Sequence, residues 1–135
     1  NIDGLHQKAG SREVLELHGS VLRNYCTRCG RFYGVEHIAE STGVPHCECG
    51  GIIKPDVVLY EEPLDEDVMI KAIHYIRQAD VLLIGGTSLV VYPAAGLVTY
   101  YRGHKLAVIN KGGAGGGLGA VVTVDGPIGQ VLAQL

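Results

Sequence analysis

Residues 65–86 read DEDVMIKAIHYIRQADVLLIGG, and two periodicities meet in them. Met69, Ala72, Ile73 and Ile76 recur at i, i+3, i+4 and i+7, the spacing that lines one face of a helix. Asp65 stands where an N-cap is needed and Arg77 lies near the end, so the stretch 65–79 reads as an amphipathic helix. At Asp80 the pattern changes to the unbroken apolar run Val81–Ile84, stopped by Gly85 and Gly86. A short apolar run of that kind reads as a parallel strand buried on both faces. A helix delivered straight into such a strand is the repeating step of an α/β sheet.

Towards the C-terminus the step repeats. Pro93 sits where a helix can start, and the stretch 94–101 ends at Arg102-Gly103 with suitable C-terminal chemistry. Lys105–Ile109 and Ala120–Val124 read as further strands, and Pro127–Gln134 as a short closing helix. The expected architecture is part of a doubly wound, Rossmann-like parallel sheet. About three strands are visible where such sheets usually have five or six, so the sheet looks incomplete on its N-terminal side. Gly115, Gly117 and Ala120 satisfy a G-x-G-x-x-A spacing, but a strand follows instead of a helix. The Gly112–Gly117 run therefore reads as a flexible linker and not as a phosphate cradle.

On the other side of the helix the composition shifts. Residues 26–54 are rich in Cys, Gly and charge and poor in long apolar runs, a mixture that needs a cross-link or a metal to hold a shape. Cys26-x2-Cys29 and Cys47-x-Cys49 are separated by 17 residues, close to the paired knuckles of a zinc ribbon. Gly30 follows the first pair and Gly50-Gly51 the second, where a left-handed bend is wanted. Four thiolates leave no open coordination position, so the expected zinc is structural. His46 beside the second pair is an alternative ligand, and two disulfides are an alternative pairing that a reducing compartment disfavours. The chain thus divides into a zinc module over 26–54 and a partial nucleotide-binding domain over 1–25 and 55–135. Regular structure is not assigned between Glu13 and Tyr25.

Composition narrows the function classes. A net charge of -3 removes the broad basic field that holds nucleic acid. Arg23, Arg28 and Arg31 are offset by Glu36, Glu40 and Glu48, so no nucleic-acid partner is expected. No apolar run approaches the roughly 20 residues of a membrane helix, and the start Asn1-Ile2-Asp3-Gly4 lacks the pattern of a secretion signal. No membrane partner and a cytoplasmic location are the expectations. Glycine is abundant, 20 of 135 residues, and clusters after apolar runs, which anticipates close backbone approaches.

Two further segments carry candidate chemistry. His18, between Leu17 and Gly19, has the side chain that titrates nearest neutral pH and can take a proton from a hydroxyl, although a histidine there is also compatible with an ordinary exposed side chain. Gly85-Gly86-Thr87-Ser88 directly follows a strand, where backbone N–H groups and hydroxyls can meet phosphate or ribose; an ordinary strand-ending turn reads the same way.

Together these segments resemble, in order along nearly the whole chain, the sirtuin family of NAD-dependent protein deacylases. Asn1-Ile2-Asp3-Gly4-Leu5-His6 with Ala9-Gly10 is similar to its nicotinamide-pocket motif, Leu17-His18-Gly19 to its catalytic histidine motif, and the four cysteines to its zinc module. Lys54-Pro55-Asp56-Val57-Val58-Leu59-Tyr60-Glu61-Glu62 resembles the stretch that pairs with an acyl-lysine peptide. Gly86-Thr87-Ser88-Leu89 with Val91-Tyr92-Pro93-Ala94 resembles the NAD ribose and phosphate loop, and Val108-Ile109-Asn110-Lys111 the adenosine-side strand end. The family's N-terminal G-A-G-I-S phosphate loop has no counterpart in these residues.

The resemblance implies NAD as co-substrate, one structural zinc ion, and acylated-lysine proteins or peptides as partners. His18 would be the catalytic base. Asn1, Ile2, Asp3, Gly86, Thr87, Ser88, Asn110, Lys111 and Ile128 would bind NAD, and Val57, Val58, Leu59 and Tyr60 would bind substrate. In the implied reaction the acyl oxygen attacks the ribose carbon bearing nicotinamide, which leaves. His18 then deprotonates a ribose hydroxyl that closes onto the acyl carbon, and water completes release of O-acyl-ADP-ribose. The competing expectation is a catalytically silent, zinc-bearing fragment that only binds peptide or a partner protein.

Overall fold

A computed structural model describes residues 1–113 and 117–134. The chain divides into two compact units, Asn1–Met69 and Ile70–Leu135. Residues 114–116, the middle of the glycine run, lie outside the described residues.

The first unit contains α1 (Leu5–Lys8), β1 (Gly19–Cys26), β2 (Phe32–Gly34), α2 (Val35–Glu40) and β3 (Ile53–Val57). Its sheet is antiparallel in the order β2-β1-β3. Strand β1 was not assigned from the sequence, and its register explains why. Gly19 and Ser20 face Val57 and Asp56, but the next residue to face β3 is Asn24, opposite Pro55. The excursion at Val21–Arg23 breaks the two-residue alternation by which a strand is read. Two buried polar side chains flank it. The Ser20 hydroxyl accepts from the Leu22 amide at 3.2 Å, and the Asn24 amide donates to the Val21 carbonyl at 3.3 Å. Pro55 is tolerated in β3 because this is an edge strand. The unit's core is Cys26, Cys47 and Ile53, with Tyr33, Ile38 and Cys49 packed around them.

Helix α3 spans Glu66–Gln78. Asp65 caps it as expected, its Oδ1 accepting from the Val68 amide at 3.0 Å. Ala72 is buried and Met69, Ile73 and Ile76 are half-buried, so the sheltered face is the one the spacing names.

The second unit carries β4 (Leu82–Gly85), a 3-10 helix (Ala94–Tyr100), β5 (Leu106–Asn110), β6 (Val122–Asp125) and α4 (Ile128–Leu132). The three strands run parallel in the order β4-β5-β6, confirming the α/β alternation. Ile84, Leu106 and Val108 form the core on one face, covered by Leu82, Leu89, Val98, Tyr101, Leu118 and Ala120. Three expectations change. Strand β4 is sheltered on one face only among the described residues: Ile84 is buried, while Val81 and Leu83 on the opposite face are 57% and 47% exposed, with nothing packed over them. The segment after Pro93 winds as a 3-10 helix and not an α-helix. Gly96 and the β-branched Val98 and Thr99 weaken the α form, and the Thr99 hydroxyl takes the Gly96 carbonyl at 2.7 Å. The last strand begins two residues later than expected, since Ala120 packs in the core layer instead of pairing. Among the described residues no helix is long and apolar enough to cross a membrane.

Candidate functional site

The four cysteines converge. Their sulfurs all lie within 4.8 Å of one another, with Cys26 to Cys49 at 3.5 Å and Cys29 to Cys47 at 3.6 Å. Zinc–sulfur bonds of about 2.3 Å in a tetrahedron require sulfur–sulfur edges of about 3.8 Å, so the donor set fits one zinc ion closed off from further ligands. Both knuckles are shaped by backbone bonds: the Gly30 amide donates to Cys26 O at 3.0 Å and the Gly50 amide to Cys47 O at 2.8 Å. Gly30 and Gly50 take φ of 72° and 81°, the left-handed bend foreseen for them. His46 turns Nδ1 to the Val44 carbonyl at 2.7 Å, and the cluster is complete without it. A hydrogen bond from Tyr33 draws the Cys47 thiol down to about 6. The Gly51 amide favours ionisation of Cys49 too, but the Cys26 and Cys47 sulfurs outweigh it and push Cys49 up to about 12.

His18 lies half-buried in the turn that opens β1. The Glu16 carbonyl accepts from the Gly19 amide at 3.0 Å, and the His18 carbonyl accepts from the Val58 amide at 3.1 Å. Gly19 has φ 76°, and a side chain there would run into the Asp56 carbonyl. Arg23 ties the same region together, with ion pairs to Glu16 at 2.7 Å and Asp56 at 2.9 Å, while Gln7 donates to Glu16 at 2.7 Å. The N-terminal triplet is tethered to the same strand through Ile2 O, which accepts from the Val21 amide at 3.0 Å. Asn1 donates to Asp3 at 3.2 Å, and Asp3 accepts from the Leu5 amide at 2.9 Å. That amide is the main reason the Asp3 carboxyl sits below its ordinary range.

Val57 ends β3 opposite Gly19, and its carbonyl accepts from Lys54 Nζ at 2.9 Å. Leu59 and Tyr60 then enter a turn closed by the Glu62 amide donating to Leu59 O at 3.1 Å. Tyr60 is fully exposed and Glu61 has φ 70°. A groove of about 260 Å³ lies alongside, lined by Tyr25, Thr27, Lys54, Pro55, Val57 and Glu62 among others.

In the second unit Gly86, Asn110 and Ile128 stand together at the carboxyl edge of the parallel strands, where ligands of open α/β sheets bind. Gly86, at φ 64°, donates to Ile109 O at 3.0 Å, and Thr87 Oγ1 accepts from the Leu89 amide at 3.1 Å. Ser88 and Lys111 are exposed. Asn110 donates to Lys111 O at 3.2 Å. Ile128, the first residue of α4, packs directly over Gly85, leaving no room for a side chain there.

The Sir2 family model matches residues 1–93. The chain belongs to the Sir2 family. Among similar proteins, the NAD-dependent protein deacetylase of Clostridium perfringens is 60% identical over 137 residues, covering 100% of this chain and 56% of its own length. That of Clostridium acetobutylicum is 53% identical over 134 residues, covering 98% of this chain and 55% of its own. This Sir2-family chain therefore spans little more than half the length of the curated relatives it matches. Among solved structures, Sir2 in complex with the inhibitor EX-527, 2′-O-acetyl-ADP-ribose and deacetylated p53 peptide superposes with a TM-score of 0.91 at 37% identity, covering 99% of this chain and 60% of that one. Sir2 bound to acetylated peptide gives 0.90 at 38%, covering 99% and 59%.

The groups that hold the candidate residues of this Sir2-family chain leave little trace in its sequence. Arg23 with Glu16, and Lys54 with Glu62, pair across strands or around a turn. Their only signal is opposite charge at spacings that mean nothing until β1 and β3 are placed.

Proposed function

We propose that the whole protein is an NAD-dependent protein-lysine deacylase that converts NAD and an acylated lysine to nicotinamide, O-acyl-ADP-ribose and free lysine. The observation that carries this reading is the bond from the Val58 amide to the His18 carbonyl. It joins the candidate base to the candidate substrate strand as one piece of backbone. His18 takes the proton of a ribose hydroxyl. Asn1 and Asp3 hold the nicotinamide amide, with Ile2 limiting the room beside it. Gly86, Thr87, Ser88, Asn110, Lys111 and Ile128 meet the ribose, phosphate and adenosine parts of NAD. Val57, Val58, Leu59 and Tyr60 receive the acyl-lysine peptide, in which backbone pairing accepts many sequences. Residues 1–25 and 55–135 act as the NAD-binding part, and residues 26–54 as the zinc module, whose ion supplies rigidity and no chemistry. A cytoplasmic location fits four thiols gathered as metal ligands instead of disulfides.

The deciding experiment incubates the full-length protein with NAD and an acetyl-lysine peptide and follows products by mass spectrometry. O-acetyl-ADP-ribose and nicotinamide in equal amounts support the reading; deacetylated peptide without either, or no product, sinks it.

A further inference from the structure

The carboxylate of Glu62 makes two bonds through one oxygen. Oε2 accepts from the Leu59 amide at 2.9 Å and from Lys54 Nζ at 3.0 Å. Lys54 Nζ also donates to the Val57 carbonyl at 2.9 Å. One ammonium and one carboxylate therefore bracket the segment Val57–Leu59 from both sides. The bracket spans a turn that the backbone alone does not favour. The Glu62 amide reaches Leu59 O across Tyr60 and Glu61, and Glu61 takes φ 70°, where a turn of this shape asks for glycine. The two side chains are 35% and 41% exposed, so their Coulomb attraction alone is worth little. What they contribute is geometry: three hydrogen bonds fix the carbonyl of one residue and the amide of another two positions on.

We propose that Lys54 and Glu62 are a positioning pair that holds the turn after β3 in its substrate-ready shape and so sets affinity for the acyl-lysine peptide. The inference rests on the reading of Val57–Tyr60 as the peptide-binding segment. Neither side chain touches reacting atoms in this scheme. Loss of either member releases the same turn, so the two losses do not add.

The test uses the full-length, zinc-loaded protein and an acetyl-lysine peptide carrying a fluorophore. Glu62→Ala and Lys54→Ala each weaken peptide binding by anisotropy about tenfold, and the double variant is no worse than the weaker single one. Glu62→Gln, which keeps an acceptor oxygen, stays within about threefold of the parent. Turnover at saturating peptide and the KM for NAD change less than about twofold, the pattern of lost ground-state binding. Hydrogen exchange at the Leu59 amide accelerates in both alanine variants, a readout independent of catalysis. Unchanged peptide affinity in an alanine variant with full zinc content and the parent melting temperature overturns the proposal. So does a fall in turnover at unchanged affinity. Failure of the deacylase reading looks different: the parent protein then forms no O-acetyl-ADP-ribose, whatever its affinity for peptide.

Discussion

Gly19 lies so close to the carbonyl of Asp56 that no side chain fits between them, and it holds a φ of 76° that side chains avoid. This contact pins the turn carrying His18 to the end of β3. Gly19→Ala adds both a steric clash with backbone and left-handed strain, which together cost about 2–4 kcal/mol. A urea melt checks it, and a midpoint within error of the parent refutes the close approach.

His18→Ala in the full-length protein leaves peptide binding unchanged and lowers turnover by about 10² to 10⁴, the usual share of a general base. Single-turnover formation of O-acetyl-ADP-ribose is the measurement. Full activity in that variant removes His18 from the reaction.

Zinc loss unfolds the knuckles. A strong chelator extracts one equivalent per chain, and circular dichroism records loss of the β2-β1-β3 sheet signal, because metal-binding free energy in such modules is folding free energy. An unchanged melt after verified removal counts against a structural ion.

Metal uptake depends on pH in a defined direction. Four cysteines must give up their protons to hold the ion, and in the unfolded, metal-free knuckles they titrate as ordinary thiols at roughly 8.5. Affinity therefore falls as pH falls below that range, because each bound ion then displaces more protons. Competition with a chromophoric chelator across pH 5–8 measures it; an affinity that does not change with pH counts against thiolate ligands.

Glu61 stands at φ 70°, so Glu61→Gly relieves backbone strain worth about 0.5–1 kcal/mol after its cost in the unfolded chain. The denaturation midpoint rises. A fall shows that the Glu61 side chain contributes more than its backbone costs.

Those features that local spacing dictates were legible in the sequence. Met69, Ala72, Ile73 and Ile76 announce α3, Val81–Ile84 announces β4, and two cysteine pairs with trailing glycines announce the metal cluster. Features that depend on a partner far along the chain were not. Strand β1 hides behind the excursion at Val21–Arg23, whose meaning appears only when Asn24 is seen opposite Pro55. Leu83 is exposed because no described residue packs over the face opposite Ile84, which an apolar run does not reveal. Arg23 is one charge among many until Glu16 and Asp56 arrive beside it.

Strand β3 starts at Ile53, packed among the cysteines, and stops at Val57, where the turn toward Glu62 begins. At about 3.3 Å per residue that is a rod of roughly 13 Å with the metal knuckles at one end and the proposed peptide seat at the other. The proposed peptide seat therefore has its footing in the metal knuckles, and its grip on a peptide is expected to loosen when the zinc is withdrawn.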